Sequence, residues 1–99
     1  MLDLNAIFRI KSDNFVIRKI ENETILVPLV SNVVDMTGVL TLNEVASSLF
    51  EAINGENSIN DIIAQLIEIY DVERDVLEHD VEQFIMQAQA KQLIEKIEN

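Results

Sequence analysis

Residues 38–55 read GVLTLNEVASSLFEAING, and this stretch decides the fold. Its first part, Val39-Leu40-Thr41-Leu42, is short, mostly apolar and partly β-branched, which favours a strand. Asn43 follows at once, and its side chain can accept a hydrogen bond from a free backbone N–H at the start of a helix. The stretch therefore predicts a strand that runs directly into a helix.

Three amphipathic helices are predicted from residue 44 onward. In the first, apolar residues recur at helical spacing until Asn54-Gly55 ends the pattern. The second begins at Ser58, which forms an approximate capping box with Asp61, and the third follows Asp71, another candidate cap. The three apolar stripes consist of Val45, Ala46, Leu49, Phe50 and Ile53, then Ile59, Ile62, Ile63, Leu66, Ile67 and Tyr70, then Leu77, Val81, Phe84, Ile85 and Ala88, with Leu93, Ile94 and Ile97 near the end of the third helix.

A β-hairpin is predicted upstream of this stretch. Residues 15–20 (FVIRKI) and 24–29 (TILVPL) are rich in β-branched side chains and are separated by three polar residues. Pro28 cannot donate a ladder hydrogen bond, so we expect it at a strand end, a bulge or an unpaired edge, where it shortens the second strand. Residues 30–37 are expected to form a loop.

The remaining segment sets the domain organisation. Residues 1–14 show no clean period, and we expect an irregular N-terminal arm followed by one domain at residues 15–99. The predicted element order is three short antiparallel strands and then three helices. This order is typical of an α+β fold.

The composition excludes several classes of protein. The chain has 99 residues, 48% of them hydrophobic, and no cysteine, so it suits one core without disulfides or thiolate metal sites. No apolar run approaches the roughly 20 residues that span a bilayer, and no signal-peptide pattern is present. We therefore expect a cytoplasmic protein with no membrane partner.

The charge of the chain is unevenly distributed. The formal net charge is −11, and residues 1–42 carry 5 acidic and 4 basic side chains, whereas residues 43–99 carry 13 acidic and 3 basic ones. Phosphate contacts from Lys and Arg dominate nucleic-acid affinity, so an acidic helical half repels a duplex. The sequence indicates no nucleic-acid partner.

No residues are arranged for catalysis. The single histidine, His79, lies among acidic residues in a predicted helix, which is typical of a solvated helix face rather than of a metal site with three or four ligands. No Ser or Thr has a base beside it, and Gly38 and Gly55 are isolated, outside any phosphate-binding loop. We expect no catalytic residue, no cofactor and no metal, and therefore a protein that is not an enzyme.

Several motifs, taken in order, resemble the PqqD family, which is named for a small protein of pyrroloquinoline quinone biosynthesis. These motifs are GVLTLN at residues 38–43, LFEAING at residues 49–55, SINDIIAQL at residues 58–66 and DVEQFI at residues 80–85. The resemblance covers about residues 15 to 95. It departs from the family pattern at Ala88, where a large aliphatic residue is usual, and at Gln92, where glycine often precedes the closing Leu-Ile pair.

The resemblance implies a winged helix-turn-helix-like fold and a role as a recognition element for ribosomally made peptides. Such a protein binds the leader of a precursor peptide and presents the peptide to a modifying enzyme, often a radical S-adenosylmethionine enzyme. The leader adds a strand to an exposed sheet edge, where backbone hydrogen bonds supply affinity and alternate side chains enter apolar pockets. This role in natural product biosynthesis is one of peptide recognition, and it requires no catalytic residue.

The resemblance also implies a peptide-binding groove between the third strand and the third helix. If Ala88 lines this groove, its small side chain widens the floor and admits a bulkier leader residue. Any one of the apolar members is equally well explained as core. The groove residues implied by the resemblance are Val39, Leu40, Thr41 and Leu42 on the strand and Asp80, Phe84, Gln87, Ala88 and Lys91 on the helix.

Two alternative functions remain open on the sequence. The first two helices, joined through residues 54–57, can form a helix-turn-helix, which suits a winged-helix DNA-binding domain, although the acidic charge opposes it. The open strand edge can instead pair with a second copy of the chain, which makes the protein a dimer or adaptor module. Titration with random duplex at low salt tests the first, and light scattering tests the second.

Overall fold

The computed structural model describes residues 3–21, 23–30, 33–34 and 38–97. Six strands and three α-helices form along this part of the chain. In chain order they are β1 (Phe8–Ile10), a 3-10 turn (Ser12–Asn14), β2 (Phe15–Ile20), β3 (Glu23–Val30), β4 (Val33–Val34), β5 (Leu40–Leu42), α1 (Glu44–Ala52), α2 (Ile59–Ile69), α3 (Arg74–Ala90) and β6 (Ile94–Lys96).

The predicted three-stranded antiparallel sheet is confirmed, with β3 at its centre. β2 pairs with β3 from Ile20↔Glu23 to Phe15↔Pro28, and β5 pairs with the other side of β3 from Thr24↔Leu42 to Leu26↔Leu40. The hairpin and the third strand are thus the predicted ones, and three helices follow them. The fold is α+β, as expected.

The loop expected at residues 30–37 is partly wrong. Val30 still belongs to β3, and β4 pairs with the end of β3 through Leu29↔Val34 and Val30↔Val33. The polar residues Ser31 and Asn32, which lie between β3 and β4 in the sequence, favoured a loop and gave no sign of this pairing. Residues 31–32 and 35–37 of the predicted loop lie outside the described part of the chain.

Pro28 does not shorten its strand. β3 continues through Pro28 to Val30, and Pro28 lies opposite Phe15, the last pair of the β2 ladder. On the other side of β3, β5 faces residues 24–26 and β4 faces residues 29–30. Pro28 lies between these two short ladders, so its missing N–H removes at most one terminal hydrogen bond, which is why the strand tolerates it.

The expectation of an irregular arm at residues 1–14 is wrong for residues 8–10. These residues form β1, which pairs antiparallel with β6 from Phe8↔Lys96 to Ile10↔Ile94. Phe8 is only 5% exposed and joins the same core as the helices. Two three-residue strands from opposite ends of the chain are too short to show a period, which explains the wrong prediction.

The helices start much as their caps predict. The Asn43 side chain accepts a hydrogen bond from the Ala46 backbone N–H at 2.9 Å, and Ser58 and Asp61 form a complete capping box. For α3 the cap prediction is wrong, because Glu73 and not Asp71 is the N-cap. The half-buried Tyr70 and Val72 pack against the core, and Tyr70 is extended, so the chain becomes helical only after them.

The predicted apolar stripes face one core. The most buried positions of α1, α2 and α3 match the predicted stripes, whereas Leu93, Ile94 and Ile97 follow the end of α3 instead of lying in it. None of the helices in the described ranges is long and apolar enough to cross a membrane. The fully buried large side chains are Leu26, Leu42, Ile59, Ile62, Ile63, Leu66, Leu77, Leu93 and Val81.

α3 ends in a tight turn centred on Gln92. The Leu93 N–H donates to the Ala88 carbonyl at 2.9 Å and the Gln92 N–H donates to the Gln89 carbonyl at 3.0 Å, which is the Schellman arrangement. This turn requires a left-handed residue, and Gln92 has φ +59°. The departure from the family's glycine therefore places an ordinary side chain in a strained conformation.

Gln92→Gly is expected to raise the free energy of unfolding by about 0.5–1 kcal/mol. The left-handed conformation costs an L-residue about 1–2 kcal/mol, and the larger unfolded-state entropy of glycine offsets about 0.4–1 kcal/mol of that gain. Urea unfolding measures the change. Gln83→Gly is the matched control: Gln83 is exposed in the middle of α3, where glycine destabilises by about 0.5–1 kcal/mol. Equal destabilisation by both substitutions contradicts the prediction.

Candidate functional site

The outer edge of β5 is the first feature of the candidate site. Within the described residues, β5 pairs with β3 and with no other strand. Strand edges carry unpaired N–H and C=O groups that can pair with another chain. One carbonyl at the end of the strand, that of Leu42, already accepts a hydrogen bond from the Ser47 hydroxyl at 3.3 Å. The remaining edge is short but open.

Two hollows mark the ends of a path between β5 and α3. A hollow of about 380 Å³ is bounded by Gly38, just before β5, and by Lys91, just after α3. A hollow of about 190 Å³ is bounded by Asn43, just after β5, and by Asp80, in the first half of α3. We call the path between these hollows the β5–α3 groove; β5 and α3 run along it in opposite directions.

The nine predicted groove residues lie on β5 or just before it and on α3 or just after it, at different depths. Val39 and Leu40 are half-buried and Thr41 is exposed, whereas Leu42 is buried beneath the strand. On α3 and at the residue just after it, the exposed members are Asp80, Gln87 and Lys91, and the buried members are Phe84 and Ala88.

Three of these residues line the hollows directly. Asp80 and Phe84 line the smaller hollow and Lys91 lines the larger one. Ala88 has no exposed surface, so its side chain lies below the groove rather than on its floor. Ala88 can influence the groove only through the residues that cover it.

Several lining residues were missed by the sequence reasoning. They come from segments that meet only after the sheet and helices have packed, so no local signal in the sequence identifies them. The larger hollow is also lined by Asn14, Pro28, Leu29, Ala90 and Gln92, and the smaller one by Val45, Ala46, Leu49, Leu77 and Val81.

The groove is supported from below by aromatic contacts. The ring of Phe84 meets that of Phe50 edge-on at 6.4 Å, and Phe50 meets Phe15 edge-on at 5.8 Å. These three rings connect α3 through α1 to β2. The position of α3 relative to the sheet, and thus the width of the groove, depends on this row.

The polar groups of the region form no recognisable catalytic arrangement. No described hydrogen bond or ion pair joins Thr41, Asp80, Gln87 and Lys91, and His79 is exposed on α3. Throughout the described ranges, no group of three or more His, Asp or Glu side chains is placed to hold a metal ion. What the groove offers is a strand edge, two hollows and two opposite charges.

Comparisons with known proteins agree with this architecture. The family model described as Coenzyme PQQ synthesis protein D (PqqD) matches residues 23–94. A solved structure of TbiB1 in complex with the TbiA(beta) leader peptide is similar to this chain, with a TM-score of 0.70 and 22% sequence identity, over 92% of this chain and 99% of that one. No curated protein sequence matches the chain. The structural match shows a shared fold.

Proposed function

Because this chain belongs to the PqqD family, we propose that it is a non-catalytic protein that binds the leader of a ribosomally made precursor peptide and presents that peptide to a modifying enzyme. The observation that carries the proposal is the open edge of β5, which lies beside α3 between two hollows. TbiB1, which shares the fold, is solved with a leader peptide. The recognition domain comprises residues 15–99 together with β1, which pairs with β6.

The leader adds to the sheet as a strand beside β5. A strand of three residues offers only about three backbone hydrogen bonds, each worth a net ~1 kcal/mol. Affinity and selectivity therefore depend on side chains that enter the hollows at the two ends, where a buried aliphatic side chain contributes about 1.5–3 kcal/mol. Such binding is weak enough to release the peptide after modification.

The contacts with the leader fall to the members of the predicted groove that are not buried. Leu40 and Thr41 face the leader from the strand, and Asp80, Gln87 and Lys91 face it from α3. Val39 flanks these contacts, while Leu42, Phe84 and Ala88 hold the two elements in place from below. The partner enzyme is of the radical S-adenosylmethionine type, as the family resemblance implies, and the protein acts in the cytoplasm.

A titration of the leader tests the site. The candidate peptide is the product of any short open reading frame found beside this gene, and it is added to isotopically labelled full-length protein. Chemical-shift changes are expected at residues 39–42 and 80–91, and a scrambled peptide of the same composition is the control. Changes confined to β2, or none with any neighbouring leader, contradict the proposal.

N-methylation of the leader tests strand addition. Successive N–H groups of a strand point to opposite edges, so only every second residue of the peptide donates to β5. Methylation at those positions is expected to weaken binding about tenfold, because one bond is lost and the methyl group obstructs its neighbour. Fluorescence anisotropy should show strong and weak effects in alternation. If methylation weakens binding equally at every position of the peptide, strand addition is excluded and the peptide binds in another way.

A second candidate is self-association through β2. In the described ranges β2 pairs only with β3, and five of its six residues are exposed, including Val16, Ile17 and Ile20. An edge strand with exposed apolar side chains is a typical site for pairing with another chain. Light scattering on the wild type and on Ile17→Lys distinguishes a dimer from a monomer, and an unchanged monomer mass for both removes this candidate.

A further inference from the structure

The two hollows of the β5–α3 groove carry opposite charges. Asp80 is the one charged residue among the described residues that line the smaller hollow, and Lys91 is the one in the larger hollow. Both side chains are exposed. A ligand that spans the groove therefore meets a carboxylate at one end and an ammonium group at the other.

Lys91 is unusual among the basic residues of this acidic protein. The chain has 7 Lys and Arg side chains against 18 Asp and Glu. Within the described residues, five of those seven form ion pairs, and only Lys91 and Arg18 do not. Asp80 is not in an ion pair with any described residue either. Both groove charges thus remain available to a ligand.

The distance between the two charges fits an extended peptide. Asp80 and Lys91 are eleven positions apart on and just after a helix, which corresponds to about 16 Å at about 1.5 Å per residue. A strand covers that distance in about five residues at about 3.3 Å each. Since alternate residues of a strand share a face, charged residues four or six positions apart reach both groups from the same side.

The direction of the peptide follows from the direction of β5. β5 runs from the hollow of Lys91 towards the hollow of Asp80. Every strand pair in the described residues is antiparallel, and antiparallel pairing is slightly more stable per residue. A peptide that pairs with β5 in this way enters at Asp80 and leaves at Lys91.

We propose that the groove selects peptides by the order of their charges: a basic residue beside Asp80 and, about six positions later, an acidic residue beside Lys91. The inference rests on the proposed peptide binding and adds a rule for which peptides bind. Asp80 and Lys91 are specificity-determining residues under this rule. The two charges fix the register and the direction of the bound peptide.

Two display libraries test the rule. One encodes Lys-X5-Glu and the other Glu-X5-Lys, with X drawn from Ile, Val, Leu, Thr, Tyr and Ser, and both are flanked by Gly-Ser. The libraries are mixed in equal numbers and selected with labelled full-length protein in 50 mM NaCl. Sequencing is expected to recover Lys-X5-Glu in about tenfold excess, since one order makes two attractive contacts and the other two repulsive ones. The excess should shrink at 500 mM NaCl.

Matched variants connect the preference to the two residues. Asp80→Lys with Lys91→Glu reverses the charges on the same side chains and is expected to reverse the excess, so that Glu-X5-Lys dominates. Asp80→Asn with Lys91→Gln is expected to recover both libraries about equally. Thermal unfolding of each variant checks that the exposed substitutions leave the fold intact.

The outcomes separate this inference from the proposed function. Equal recovery of both libraries by the wild type, an excess of Glu-X5-Lys, or an excess that survives charge reversal overturns the charge rule while peptide binding stands. Failure to select any peptide, together with no binding of the neighbouring leader, overturns the proposed function itself. A Lys-X5-Glu excess that reverses in the double variant supports both.

Discussion

Phe50→Ala is expected to lower the free energy of unfolding by about 4 kcal/mol, and the melting temperature by on the order of 20 °C. Phe50 is 4% exposed and lies between two other rings, with Phe15 of the sheet on one side and Phe84 of α3 on the other. Truncation leaves a cavity where sheet and helices meet and removes two edge-on ring contacts. For a domain of this size, that loss is a large part of the total stability.

The matched control is Phe50→Leu, measured in the same urea and thermal unfolding experiments. Leucine keeps most of the apolar contact and loses the ring contacts, so we expect about 1–2 kcal/mol of destabilisation. If the alanine and leucine variants had equal free energies of unfolding, the cavity left by alanine would cost little. The packing of Phe50 against its neighbours would then contribute little to stability.

Removal of residues 1–11 is expected to leave the chain largely unfolded at 25 °C. The deletion takes away β1, exposes the core that Ala6 and Phe8 cover, and removes acceptors for several backbone N–H groups. The lost burial and the orphaned donors together cost at least about 5 kcal/mol, which is comparable to the stability of a small domain. Outside the β1–β6 ladder, the donors that lose their partners are those of Asn14, Gly55, Ile59, Asn60 and Ile97.

Circular dichroism and urea unfolding of the shortened chain measure this effect. Arg9→Ala in the full-length chain is the control, because Arg9 lies in β1 but is exposed and forms only a surface ion pair with Glu95, which is worth about 0–1 kcal/mol. A shortened protein as stable as the full-length one would mean that residues 1–11 are dispensable, as expected of an irregular arm.

Sequence reasoning succeeded where the determining interactions are local. Asn43 caps the residue three positions later, the Ser58 and Asp61 box closes within one turn, and the ladder of β2 and β3 begins with Ile20 opposite Glu23, three positions apart in the chain. The helical stripes are equally local because residues three and four apart share a face. These features predicted the strand β5 and the helix α3.

The failures involve contacts between distant segments. β1 and β6 depend on each other and on no neighbour in the chain, so neither shows a pattern of its own. α3 begins only after Val72, which packs against the core, and the capping potential of Asp71 is not used. Pro28, Gly38 and Lys91 line the same hollow only once the chain has folded. The complete burial of Ala88 likewise depends on tertiary packing, which the sequence pattern does not reveal.

The β1–β6 pair also has a consequence for synthesis on the ribosome. Ile10 and Ile94 are partners although 84 positions separate them. At about 5–20 residues per second, β1 waits roughly 4–17 s for its partner to be made. During that interval Phe8 and its apolar neighbours are exposed on the nascent chain. Exposed apolar surface of this kind makes the nascent chain prone to aggregate. β6 thus completes a pairing that β1 cannot form until late in synthesis.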